Sequence, residues 1–291
     1  MRQLVILSGK GGTGKTTVAS SFIKLATAKT YADCDVDAPN LHLIGSPFPS
    51  VKQTDYFSMP KAVINANLCI SCAMCRKYCR FGAIVKDKTY KVDAASCEGC
   101  GVCAFVCPAK AITMEKTKAG DLLLYSDTDN TVFSTAVLSM GSGATGLLVT
   151  QVKKQMKAAS GETPLAIIDG SPGIGCPVIA SLSGADMVLI VAEPSISGIS
   201  DMERIIGTAQ QFQVRLAVCI NKYDTNLLQS SHIESYCRTR RIPFVGKIPF
   251  EPMAIKAINQ GKYLVDFPCE GAKALADVFA ETMDLLQAEV V

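Results

Sequence analysis

Thirteen cysteines stand in a chain of 291 residues, and eight of them fall between positions 69 and 107. Cys69, Cys72, Cys75 and Cys79 recur as Cys97, Cys100, Cys103 and Cys107, a shift of 28 at every position. Ala83-Ile84 recurs as Ala111-Ile112 in the same register, so the segment reads as a duplication. A disulfide framework expects secretion and an even count, and neither holds. Thiolate crowding of this density is the chemistry of metal ligation. Paired C-x-x-C motifs also suit zinc, but zinc does not require two duplicated four-cysteine runs. Of the other five, Cys34, Cys176, Cys219, Cys237 and Cys269, most are expected as small buried apolar residues.

Cys97-x2-Cys100-x2-Cys103-x3-Cys107-Pro108 resembles the bacterial ferredoxin run, and the first run differs from it in carrying Arg80 after Cys79. In such pairs the fourth cysteine of each run ligates the other cluster. The resemblance therefore implies one 4Fe–4S cluster on Cys69, Cys72, Cys75 and Cys107, and a second on Cys97, Cys100, Cys103 and Cys79. Gly99 and Gly101 ease the tight turn that aims three sulfurs at one cluster.

A second constellation lies at the other end of the chain's chemistry. Gly9-Lys10-Gly11-Gly12-Thr13-Gly14-Lys15-Thr16 fits G-x-x-x-x-G-K-T between an apolar strand, Leu4 to Leu7, and a helical pattern, Val18 to Leu25. The glycines let backbone N–H groups close around phosphate oxygens, and the helix dipole adds positive potential there. Lys15 is expected on the β and γ phosphates, and the Thr16 hydroxyl on Mg²⁺.

With Lys10 and Thr17 the loop resembles the deviant phosphate loop of the MinD/ParA/Mrp ATPases, a group with CobQ/CobB and the nitrogenase iron protein. The resemblance implies ATP as ligand and a dimer with nucleotide at its interface, Lys10 reaching the nucleotide of the facing subunit. Asp33-Cys34-Asp35-Val36-Asp37 is similar to that family's first switch, which gives Asp35 the attacking water. Ile167-Ile168-Asp169-Gly170-Ser171-Pro172-Gly173 is similar to its second, which puts Asp169 on the Mg²⁺ shell. Carboxylates at strand ends suit phosphoryl transfer, where catalysis is mostly positioning and charge stabilisation. Asn221-Lys222-Tyr223-Asp224 fits the N-K-x-D pattern of guanine readers, but similar strings in MinD relatives turn the asparagine to adenine, so ATP is favoured over GTP. Cys176 falls where the nitrogenase iron protein carries a cluster ligand. Its second ligand has no match, as 140–150 contains no cysteine, so core packing is the better reading.

These groups need a scaffold. Apolar strands ending at Asp169, Ala192 and Ile220, with amphipathic helices between them such as 199–212, predict an α/β fold with a doubly wound, mostly parallel sheet. The alternation stops near Met59 and resumes near Thr117. The division expected is a phosphate-loop ATPase domain in two pieces, 1–58 and 117–291, with a small α+β two-cluster ferredoxin domain, 59–116, inserted. The insert holds nine basic and four acidic residues and so carries +5, against a formal +3 for the whole chain. That excess is read as counter-charge for anionic clusters and a docking face for an acidic partner.

The overall charge does not point to nucleic acid, no apolar run is long enough to span a bilayer, and no segment reads as a signal peptide. A cytoplasmic protein is expected. The C-terminal helix expected over 272–290 carries Asp277, Glu281, Asp284 and Glu289 against Lys273 alone, which argues against docking on anionic lipid and so against a MinD-like positioning role. The function expected is an ATPase, as a homodimer or a heterodimer with a related ATPase, that gates electron flow through two 4Fe–4S clusters to a redox partner. The alternative is an iron–sulfur cluster or metal-cofactor assembly ATPase acting on an apo-protein.

Overall fold

A computed structural model describes residues 1–45, 47–139, 142–143 and 145–288. Thirteen strands are formed among them: β1 (Arg2–Leu7), β2 (Thr30–Asp33), β3 (Ser50–Phe57), β4 (Lys61–Ile64), β5 (Ile84–Lys86), β6 (Tyr90–Val92), β7 (Ile112–Glu115), β8 (Lys118–Ser126), β9 (Val132–Leu138), β10 (Leu165–Asp169), β11 (Met187–Ala192), β12 (Arg215–Asn221) and β13 (Phe244–Ile248). The α-helices are α1 (Lys15–Leu25), α2 (Met74–Tyr78), α3 (Val102–Phe105), α4 (Thr145–Ala159), α5 (Cys176–Leu182), α6 (Ile196–Gln211), α7 (Leu227–Arg240), α8 (Met253–Asn259) and α9 (Glu270–Gln287).

Nine strands make one sheet in the order β13-β12-β11-β1-β10-β2-β9-β8-β3. From β13 to β9 every pairing is parallel. The central strands β1, β10 and β11 are apolar almost throughout because helices cover both faces. Leu148, Val152, Val178, Met202 and Ile233 of α4 to α7 bury one face. Phe22, Leu275 and Val278 of α1 and α9 bury the other, with Phe22 and Phe279 edge to face at 5.1 Å.

The sheet is mostly parallel as predicted and turns antiparallel only at one edge, where β8 runs antiparallel to β9 and β3 to β8. β3 is almost wholly exposed, so it lacks the apolar alternation that marks a half-buried strand. Two helix boundaries also shift. α6 begins before the expected Ile199 because the Ser195 hydroxyl accepts the Gly198 N–H at 3.0 Å and caps it. α9 starts at Glu270; Glu289 and Val290 of the predicted helix lie outside the described residues. No described helix is long and apolar enough to cross a membrane.

The segment between β3 and β8 builds its own small structure. β4 pairs with β7, β5 with β6, both antiparallel, and neither ribbon joins the large sheet. Ala62, Cys75, Ala83, Ile84, Tyr90, Cys97 and Ile112 form a separate buried cluster there.

Candidate functional site: a nucleotide cleft and a cysteine cage

The glycine loop turns from β1 into α1 at the centre of the parallel sheet, where the chain crosses from one face to the other. In doubly wound sheets ligands bind at that switch point. Gly12 and Gly14 take left-handed φ of 80° and 89°. At Gly14 a Cβ would lie 2.2 Å from Asn221 Nδ2, so glycine is demanded there twice.

Residues 10–17 line a cleft of about 710 Å³ together with Asp35, Asn221 and the 249–251 turn. Gly9 is not among them. A Cβ on it would meet Asp201 Cβ at 2.1 Å, so this glycine lets α6 approach the loop instead of touching ligand. The Thr13 hydroxyl is buried with no partner among the described residues.

The charged groups converge because parallel register brings strand ends level. Ile6 faces Asp169 across β1 and β10, and Asp169 faces Asp33 across β10 and β2. Lys15 Nζ donates to Asp169 Oδ1 at 2.5 Å, and Thr16 Oγ1 to Asp169 Oδ2 at 2.7 Å. Burial alone would lower the Lys15 pKa, but Asp169, Asp33 and Asp35 outweigh it and hold the ammonium above its ordinary value. Burial likewise pushes Asp35 up, with Lys15 opposing it.

Asp33 is the residue that motif reading left without a role. Its carboxylate accepts the N–H groups of Asp35, Asn40 and Leu41 at 2.9–3.0 Å, which folds the following loop over the site. Burial, then the Asp169 charge, push its pKa up to about 7 against the pull of Lys15. The signal was its place as the first carboxylate of the D-x-D string.

Lys10 folds back onto its own chain. Its ammonium pairs with Glu193 at 2.7 Å and lies 3.4 Å from the hydroxyls of Ser195 and Ser197. Asn221 braces the loop: Nδ2 donates to Thr13 O at 2.7 Å while Oδ1 accepts the Lys222 N–H. Lys222 donates to Gly12 O at 2.8 Å. Asp224 accepts the Phe250 N–H at 2.7 Å. Glu193, Lys222 and Phe250 were absent from the predicted site, since Glu193 and Phe250 sit in no recognised motif.

The cysteine segment repeats at the level of backbone shape. Left-handed residues fall at Ser71 and Gly99, at Ala73 and Gly101, and at Gly82 and Lys110, each pair at the duplication shift. The halves are also exchanged: Asn65 N–H donates to Ala111 O, and its counterpart Asp93 N–H to Ala83 O, at 2.8 and 2.7 Å. Each half therefore begins against the end of the other. Cys79, Cys97, Cys100 and Cys103 line one small cavity of about 20 Å³ with Ile84, Val92 and Gly99 among its walls.

Around Cys75 the neighbouring thiols are those of Cys69, Cys72 and Cys107. Burial pushes the Cys75 thiol up, the Arg76 N–H draws it back, and those three add to the upward push. All thirteen cysteines are free thiols. Among the described residues no three His, Cys, Asp or Glu side chains converge closely enough to hold a single metal ion. Cys176 opens α5 beside Gly146 and is exposed, so the expectation of core packing fails: the first residue of the helix is not on its buried face.

The sheet order, the loop at its switch point and the strand-end carboxylates define a phosphate-loop nucleotide-binding protein. The model of the CobQ/CobB/MinD/ParA nucleotide binding domain matches residues 4–265, and the chain belongs to that family. Within it the chain is an ATPase of MinD/ParA type. An uncharacterized protein of Methanocaldococcus jannaschii is 34% identical over 227 residues, covering 77% of this chain and 79% of its own length. The septum site-determining protein MinD of Bacillus subtilis is 24% identical over 270 residues, covering 89% of this chain and 80% of MinD. The structure of MinD with Mg-ADP from Pyrococcus horikoshii shares the fold at a TM-score of 0.58 and 18% identity, covering 99% of each chain.

Proposed function

We propose that this ATPase is an iron–sulfur protein in which ATP-driven switch and dimer changes gate electron transfer through two 4Fe–4S clusters to a redox partner. The observation that carries the reading is the cavity lined by Cys97, Cys100, Cys103 and, from the other half, Cys79. The grouping of Cys107 with Cys69, Cys72 and Cys75 is its counterpart.

These donors fit a cluster better than a single ion. A tetrahedral zinc needs its sulfurs about 2.3 Å from one centre, whereas among the described residues no three such ligands converge on a single point. The clusters would supply one-electron transfer. The chain's part is to fix the sulfurs through the left-handed turns at 71, 73, 99 and 101, and to surround them with an excess of lysine and arginine.

In the nucleotide cleft Thr16 and Asp169 would hold Mg²⁺, which supplies charge neutralisation on the phosphate oxygens. Lys15, parked on Asp169, is placed to pass to the β and γ phosphates when nucleotide enters. Asp35 lines the same cleft and is the residue to orient the attacking water. ATP is favoured over GTP because Asp224, the carboxylate an N-K-x-D site would offer to guanine, is engaged by the Phe250 N–H. Lys10 would exchange Glu193 for the nucleotide of the facing subunit in a homodimer or a heterodimer with a related ATPase.

The test is anaerobic purification with iron and sulfide counting, then EPR of the reduced protein with and without ATP. About eight irons per chain are expected, with spectra that respond to nucleotide. A chain that binds no iron sinks the reading. The exposure of Cys72 and Cys100 favours a second reading, a cluster-assembly carrier, since solvent-facing ligands ease release. Ready transfer of clusters to an apo-acceptor would select it.

A further inference from the structure

The two halves of the cysteine segment are alike in backbone and opposite in surroundings. In the second half Gly99 is buried, and a Cβ on it would lie 2.5 Å from Pro60 O and 2.9 Å from Met59 Cβ. Lys61 donates to Cys97 O close by. The shift of 28 makes Ser71 the counterpart of Gly99 and Ile70 the counterpart of Glu98. Ser71 takes the same left-handed turn, with a φ of 57° against 70°, but it is exposed. The loop after Cys97 therefore packs on the chain arriving from β3, and the loop after Cys69 faces water.

What the outward half presents is apolar and basic. Ile70 is 66% exposed where the other half carries a glutamate, and Leu68, Tyr78 and Phe81 are also open to solvent. Apolar surface gathered in this way is what an interface removes from water. Arg76, Lys77 and Arg80 belong to the same stretch and are exposed. Lys91 of the insert is paired with Asp87, whereas these three have no ion pair among the described residues. Positions 61–86 hold five basic residues and no acidic one. A second copy of this face, meeting it about a two-fold axis, would set like charges against each other. An acidic surface is what it fits.

We propose that residues 68–81 dock the acidic face of a one-electron carrier protein, with Ile70 as apolar contact and Arg76, Lys77 and Arg80 as the charges that draw it in. The proposal rests on the electron-transfer reading and names the side of the cage that serves it. The half with Cys69, Cys72 and Cys75 faces the carrier, and the half with Cys97 and Gly99 faces the chain from β3. One electron leaves the reduced cage and the carrier is reduced by one, with no bond formed between the proteins. Such encounters bury little area, so steering by charge and a small apolar contact supply a brief, oriented association.

Flavodoxin, an acidic flavoprotein, and cytochrome c, a basic haem protein, serve as probes on the full chain purified anaerobically. Oxidised flavodoxin is expected to protect residues 68–81 from amide exchange and to leave 96–104 unchanged. With the chain reduced, one-electron reduction of flavodoxin should slow as salt rises, and that of cytochrome c should quicken. Arg76→Glu combined with Lys77→Glu should lower the flavodoxin rate about 10–10²-fold at low salt. The same charge change made on α4, Lys154→Glu with Lys157→Glu, should leave most of the rate intact. Ile70→Ser should cost roughly fivefold at every salt concentration. Protection at 96–104 in place of 68–81, or an equal loss from the α4 reversals, would overturn the proposal. So would protection of 68–81 that rises with the chain's own concentration and needs no flavodoxin, which would assign the face to a second copy. The footprint on the native chain decides the matter if a variant loses iron. Eight irons with no footprint defeats the docking face alone, and a chain without iron defeats the electron-transfer reading beneath it.

Discussion

The nucleotide cleft and the cysteine cage are held together in opposite ways. In the cleft every principal charge already has a partner from the chain: Lys15 on Asp169, Lys10 on Glu193, Asp33 on three backbone N–H groups. The sheet beneath is buried on both faces. In the cage, seven buried residues make the whole core, two of them are cysteines, and Ile70 and Phe105 are 66% and 91% exposed. Units of that size rarely close a sufficient core and depend on staples. The cleft is therefore ordered before its ligand arrives, whereas on the proposed reading the cage would need its clusters as staples.

The largest expected effect breaks that comparison if it fails. Stripping iron with a chelator under reducing conditions should leave residues 61–115 with the amide exchange of an open chain, while the nine-stranded sheet keeps its protection. Full protection in the stripped cage would mean that its small core suffices and that the thiols do not serve as staples. Next in size, Lys15→Ala should lower ATP hydrolysis by about 10²–10³-fold with iron content unchanged. Loss of iron in that variant would show the two regions to be one folding unit.

The sequence displayed each region to a different depth. Spacing alone carried the duplication, because a constant shift fixes which residues are equivalent, and the exchange of halves through Asn65–Ala111 and Asp93–Ala83 follows the same register; the crossed ligand sets came from the ferredoxin resemblance. The glycine loop, Lys15, Thr16 and Asp169 were legible because phosphate chemistry fixes residue type and spacing together. What could not be read depends on long-range packing. The salt link from Lys10 to Glu193 joins residues far apart in sequence, and Asn221 supports the loop through Thr13, which only the meeting of β12 with the loop creates. The edge strand β3 was hidden because its side chains face solvent on both sides.

A smaller effect sharpens the claim that the cleft is preformed. Gly14→Ala forces a residue with a Cβ to a φ of 89° and against the Asn221 amide. The expected loss is about 1–3 kcal/mol, seen as a fall of several degrees in the melting of the nucleotide-free sheet. An unchanged melting temperature would mean that the loop relaxes freely in the absence of ligand.

The last effect concerns pH, and it asks how well the cleft's charges are balanced without nucleotide. Asp33 has a folded pKa near 7 against 3.8 for an ordinary aspartate. Between those values the folded chain keeps a proton that the unfolded chain has released, so the stability of the nucleotide-free protein falls as pH rises through this window and levels above it. The value already contains the opposing pull of Lys15, and a change of about 2 kcal/mol between pH 5 and 7 is expected. Asp33→Asn should flatten the slope in thermal melts, whatever it does to stability at one pH, since asparagine cannot titrate but replaces one acceptor oxygen with a donor. A slope that survives the substitution would locate the uncompensated charge elsewhere, with Asp35, also raised by burial, the next carboxylate to replace. The cysteine cage should show no such dependence, because its exposed carboxylates Asp87 and Asp93 are held below the ordinary value by Lys91 and Ser96 and finish titrating before this window opens.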